Sequence, residues 1–292
     1  MKLYKDFTSQ EAIDAQYDPM QGRDPRAVLE QFVEKTRLTR EAIRHRSDLR
    51  YGPTLTEYLD YYPASISDAP LHVFFHGGYW RSLSARHFGY VAQGLVEQNI
   101  NVAIINYELC PKVTIGEIVR QCRASLAWLQ THADDLKFNP EAMTLSGHSA
   151  GGHLVAMMLA TEWWDDYALP KNIIKGACAI SGLYDLSPFP YSWLQPKLQL
   201  TGRDVRQYSP VFNPVEVNSP VILAVGSQES EEFHQQQAEY RRCLQQQHPT
   251  QTVQVLNVLG ADHFSILDGF QQGEGELFQA VLKLAKCAMP RK

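Results

Sequence analysis

A serine between glycines, with an apolar run before it and a helix-forming run after it, constrains this chain more than any other feature. Gly147-His148-Ser149-Ala150-Gly151 follows the strand-like run from Met143 and opens a helical stretch that continues to Leu159. A strand that reverses into a helix within two residues forces the serine into a sharp, strained turn. Small residues are then needed on either side for the backbone to pack. The helix starting at Ala150 also points unpaired N–H groups toward negative charge developing near the serine. In that setting the motif reads as an exposed nucleophile rather than a chance glycine turn.

Such a turn needs a sheet behind it. Strand-like runs at Leu55–Tyr62, His72–Phe75, Val102–Asn106, Met143–Gly147, Ile174–Ser181, Val221–Val225 and Thr252–Val258 alternate with helical stretches over Ile115–Thr131, Ala150–Leu159, Glu231–Gln247 and Leu277–Cys287. That alternation predicts parallel strands joined by right-handed helical crossovers, hence an α/β class with a mostly parallel central sheet flanked by helices. Residues 1–25 are polar and broken by Pro19 and Pro25, and Arg26–Arg46 then places Val28, Leu29, Phe32 and Val33 on a helical period. An N-terminal helical arm within residues 1–50 follows. From Ser187 to Pro214 the alternation stops, and Pro188, Pro190, Pro196, Pro210 and Pro214 surround Trp193, Leu194, Leu198 and Leu200. A cap over 187–214, lying across strand ends, is expected there. No linker divides the 292 residues, so a single domain over 1–292 is expected.

Composition excludes several roles. The chain is 44% hydrophobic and 20% charged, enough for a sizeable core. A net charge of −5, with no basic cluster, gives no field to gather nucleic acid or an anionic membrane. The start lacks the apolar core of a secretory signal, and no stretch reaches the roughly 18 apolar residues of a membrane span. The expectation is a cytoplasmic protein whose partner is a small-molecule substrate, with a homodimer left open. Its five cysteines are scattered without a CxxC pair and read as structural thiols. No phosphate loop, dinucleotide fingerprint or zinc spacing is present, so neither cofactor nor metal is expected.

The remaining chemistry is placed by chain order. His76-Gly77-Gly78-Tyr79-Trp80 ends a strand, where glycines let the main chain offer N–H donors. Gly77 and Gly78, with the N–H of Ala150, are the candidate oxyanion hole. A serine hydroxyl needs an imidazole to take its proton, and His263 stands on a loop after the last strand. Of the other histidines, those at 45, 87, 132, 234 and 248 read as surface residues, and His148 and His153 flank the turn. His72 and His76 share one strand face without a third ligand. The orienting acid should follow Val221–Val225, where Glu229 is on the loop while Glu231 and Glu232 look like a helix's first turn. Asp185 is the alternative acid, and Asp262 is expected to shape its loop.

With these residues in hand, the chain resembles the kynurenine formamidase (arylformamidase) family of α/β-hydrolases, related to hormone-sensitive-lipase-like esterases. The resemblance rests on the N-terminal arm, Tyr51-Gly52, Leu59–Pro63, HGGYW at 76–80, GHSAGG at 147–152, SGLYDL at 181–186, Gly226–Phe233 and Asp262-His263-Phe264. Most discriminating is HGGYW, because related esterases usually carry a third glycine or alanine where Tyr79 stands. The resemblance implies Ser149 as nucleophile, His263 as base and Glu229 as acid, although the family's acid is typically Asp. It implies hydrolysis of N-formyl-L-kynurenine to kynurenine and formate, a step of tryptophan catabolism, or else of short-chain aryl esters. Tyr79, Trp80 and His148 are then expected to line the substrate site, with the aromatic pair giving a cramped acyl side. A non-catalytic binding protein on the same fold is the remaining reading, and the filled triad positions argue against it.

Overall fold

The computed structural model describes residues 2–213, 215–217 and 219–289. Its centre is one eight-stranded sheet of β1 (Arg46–Arg50), β2 (Tyr58–Tyr62), β3 (Ala69–Phe75), β4 (Asn101–Ile105), β5 (Phe138–His148), β6 (Ile174–Ile180), β7 (Val221–Gly226) and β8 (Val253–Val258). The spatial order is β1-β2-β4-β3-β5-β6-β7-β8. β1 and β2 run antiparallel to their neighbours, and every pairing from β4 to β8 is parallel. This is the α/β-hydrolase architecture.

Parallel strands covered on both faces carry apolar residues continuously rather than alternately, and β3 and β4 are buried at every position. Val73, Phe75, Ala103 and Ile105 face one core; Phe74, Val102 and Ile104 face the other. The first core is closed by the helices Ile115–Thr131, Ala150–Leu159 and Glu231–Gln247, and the second by Pro25–Ala42 and Glu276–Cys287. The helices expected over Ile115–Thr131, Ala150–Leu159 and Glu231–Gln247 have those bounds.

Several elements depart from the sequence reading, among them β1, which it did not expect. A helix, Gln10–Tyr17, lies in the stretch read as irregular; Ser9 caps it, and Ile13 and Tyr17, one turn apart, are its buried side. The arm helix stops at Ala42 instead of Arg46, because Ile43 is extended and the chain enters β1. The strand expected from Leu55 begins at Tyr58: the Glu57 carboxylate accepts the Thr54 N–H at 3.0 Å and pairs with Arg120 at 2.6 Å, closing a turn there.

The 187–213 segment folds into short helical pieces, among them Gln195–Leu198 and Gly202–Tyr208, and lies against the site end of the sheet. The Trp193 N–H donates to Asp14 of the arm at 2.9 Å, and Phe189 packs on Tyr17, Tyr79 and Trp80. Pro214, the last residue of the expected cap, lies outside the described residues, as do Met1 and residues 290–292 at the ends of the expected domain. Among the described residues no helix is long and apolar enough to cross a membrane.

Candidate active site

Ser149 joins β5 to the buried helix Ala150–Leu159 with φ 58° and ψ −118°, a backbone region that residues with a side chain rarely adopt. Its N–H donates to the Ile180 carbonyl at 2.8 Å, tying the turn to β6. The glycine at 151 is dictated by contact. A Cβ there would lie 2.0 Å from the Phe75 carbonyl oxygen, so only glycine lets this helix start against the end of β3.

His263 follows β8 and Glu229 follows β7, and the two meet. Glu229 Oε2 accepts from His263 Nδ1 at 2.6 Å, while Oε1 accepts from the Ser181 hydroxyl at 2.5 Å and the Gly226 N–H at 2.8 Å. Both side chains are buried. Burial opposes ionisation of Glu229, but the His263 charge, its hydrogen bond, Ser181 and Gly226 together hold the carboxyl below its ordinary range. With Nδ1 donating to the carboxylate, the outer nitrogen Nε2 is left as the acceptor, the tautomer a general base needs. Asp185 is elsewhere: it accepts from Ser187 N–H at 2.8 Å and from the Tyr4 hydroxyl. Asp262 accepts the N–H groups of Phe264 and Ser265 and pairs with Arg23, so it shapes its loop.

The glycine loop lies across from the serine. A Cβ on Gly77 would stand 3.2 Å from Ser149 Cβ. Gly78, Tyr79 and Trp80 all take positive φ (116°, 50° and 55°), a run that turns the main chain back on itself. Side chains hold this strained turn. The Tyr79 hydroxyl donates to the Tyr17 carbonyl of the arm, and Trp80 Nε1 donates to His153 Nδ1 at 3.2 Å. His153 Nε2 in turn meets the Tyr208 carbonyl of the cap segment at 2.7 Å. The expectation for Trp80 is corrected here: its indole is fully buried and does not line the cavity, so it anchors the loop rather than shaping an acyl pocket. Tyr79 does line the cavity.

Ser149, His148, His263, Gly77, Gly78 and Tyr79 border one cavity of about 350 Å³. Ser149 and His263 both border this space, and catalytic hydrogen bonds often tighten only when a substrate is held. The rings of His148 and His263 lie 4.6 Å apart, and burial pushes His148 down to about 3, keeping it neutral. The arm contributes Asp18, Pro19, Met20 and Phe32 to the walls, and the 187–213 segment contributes Trp193. Sequence reasoning missed these, as it missed Ser181 and Arg81. Ser181 stood at a strand's C-terminal end, where sites of such sheets gather, and it opens the SGLYDL motif; those were its signals. Among the described residues no group of three or more His, Cys, Asp or Glu is placed to hold a metal.

The chain is similar to known proteins over most of its length. The BD-FAE family model matches residues 59–191. The kynurenine formamidase of Danio rerio is 32% identical over 94% of this chain and 96% of its own. That of Salmo salar is 30% identical over 97% and 99%. A solved structure from Silicibacter sp. TM1040, put forward as a thioesterase, superposes with a TM-score of 0.81 at 25% identity, covering 93% of this chain and 98% of the other. With likeness spread over nearly the whole length of both chains, this chain is a hydrolase and belongs to the kynurenine formamidase family of α/β-hydrolases.

Proposed function

We propose that this hydrolase cleaves N-formyl aryl amides such as N-formyl-L-kynurenine, giving kynurenine and formate, with Ser149, His263 and Glu229 as its triad. The observation that carries the reading is the 2.6 Å bond from His263 Nδ1 to the buried, triply bonded carboxylate of Glu229, at the wall of the cavity that holds Ser149.

His263 Nε2 takes the Ser149 proton as Oγ attacks the formyl carbon. The oxyanion is held by the N–H groups of Gly78 and Ala150, with Gly77 shaping the approach, and removal of one such donor costs about 3 kcal/mol. His263 returns the proton to the aryl amine, which leaves, and Ser149 carries the formyl group. Water, deprotonated by the same imidazole, then releases formate and restores the serine. Glu229 fixes the imidazole tautomer and stabilises the imidazolium in both halves.

The same groups serve an ester, and the thioesterase proposed for the Silicibacter structure keeps carboxylesterase action on short acyl esters as the second reading. The test is kcat/KM for N-formyl-L-kynurenine beside p-nitrophenyl acetate and butyrate. A preference for the formamide of about a hundredfold is expected, some 2.7 kcal/mol of transition-state discrimination. Preference for the esters with negligible formamide cleavage would overturn the formamidase in favour of the esterase.

A further inference from the structure

Buried N–H donors are almost always paired. Among the described residues, the N–H groups at Arg81 Nε and Trp193 Nε1 and the His148 ring nitrogen Nε2 are buried without a hydrogen-bond partner. All three residues line the cavity that opens on Ser149. Side chains with unpaired nitrogens on the wall of one space suit an acceptor held there.

The space has a charge pattern as well. The Arg81 guanidinium lies 4.7 Å from the centre of the Trp193 ring. Stacking of that kind holds the planar fork in a fixed orientation, suited to gripping a carboxylate. Asp18 borders the same cavity from the arm, its loop fixed by Oδ1 accepting the Met20 N–H at 3.0 Å. The same walls carry the apolar Met20, Phe32, Phe88 and Phe264. A cation, an anion and an aromatic-lined floor around one nucleophile describe a ligand with a carboxylate, an ammonium and an aryl ring.

We infer that Arg81, backed by Trp193 Nε1, receives the α-carboxylate of the substrate and Asp18 its α-ammonium, so the cavity selects aryl substrates bearing a zwitterionic amino-acid head. The inference deepens the aryl-formamide reading and rests on it. It explains why the arm and the 187–213 segment, both remote in sequence from the triad, close over the same space. Neither contributes to bond cleavage; both contribute to choice of substrate.

The test uses L-kynurenine, its decarboxylated analogue and its desamino analogue as competitive inhibitors of p-nitrophenyl acetate hydrolysis. In the parent enzyme the decarboxylated compound should bind about thirtyfold more weakly than L-kynurenine, the scale of one charge-assisted hydrogen-bond pair. Arg81→Met, or Arg81→Gln if the first does not fold, should bring that ratio near one. Asp18→Asn should do the same for the desamino analogue while keeping the carboxylate preference. Equal inhibition by all three compounds in the parent enzyme, or an Arg81 variant that keeps the parent's ratio, would overturn the assignment. An enzyme that cleaves esters alone yet discriminates the head group would keep this subsite and sink the formamidase. Formamide preference without head-group discrimination would sink the subsite alone.

Discussion

Replacing Glu229 with Gln keeps the shape of the acid and removes its charge. His263 Nδ1 would then lose the carboxylate that fixes its tautomer at 2.6 Å, while the Ser181 and Gly226 contacts could persist. The expected outcome is a fall in kcat of about ten-thousandfold with KM changed by a few-fold. A loss under tenfold would assign the orienting role elsewhere. That Glu229 would meet His263 near Ser149 was legible in the sequence, because their chain order follows strand ends and a glutamate on a loop differs from one in a helix's first turn. Trp80 was misread for a physical reason. Whether an aromatic side chain faces a cavity or the core depends on the sign of φ in the residues around it, and three successive positive values there leave no mark in composition. Arg81 was equally hidden, since its importance lies in a ring from the distant 187–213 segment.

At the scale of elements, the turn works because helix Ala150–Leu159 starts in contact with β3. Gly151→Ala should therefore cost about 3 kcal/mol or more, because the new Cβ would meet the Phe75 carbonyl, which cannot yield like a flexible side chain. Denaturant unfolding checks this; a midpoint equal to the parent's would show that the two elements are not locked together. Central elements were readable because they are uniformly apolar or strictly amphipathic over many residues. β1 was not: Arg46-Ser47-Asp48-Leu49-Arg50 has no apolar alternation, and its pairing depends on buried Asp60, which accepts the Asp48 N–H at 3.1 Å and pairs with Arg40. A charged, bulged edge of this kind also resists pairing with other chains. The helix Gln10–Tyr17 offered only Ile13 and Tyr17 as signal, too few for a period.

For the whole molecule, four of the buried histidines set the response to acid. Burial pushes His72 and His148 down to about 3 and His76 and His153 to about 4, from an ordinary 6.5. Folded, these rings stay neutral where the unfolded chain would protonate them. Their contribution is thus complete above pH 6.5 and lost as pH falls toward the folded values. Each removes about 1.4 kcal/mol per pH unit in that window, so together they offset a typical 5–15 kcal/mol of stability within roughly one to three units. The melting temperature should drop steeply between pH 6.5 and 4; a flat profile across that range would contradict it. Only the folded chain brings the arm, the 187–213 segment, Ser149 and His263 around one cavity, which is why the chain order of Ser149, Glu229 and His263 was readable and the surrounding walls were not. If this cavity turns over N-formyl-L-kynurenine through Ser149, kcat for that substrate in Ser149→Ala falls about a millionfold while L-kynurenine, measured alongside, still binds. Turnover within tenfold of the parent would show that the reaction does not pass through Ser149.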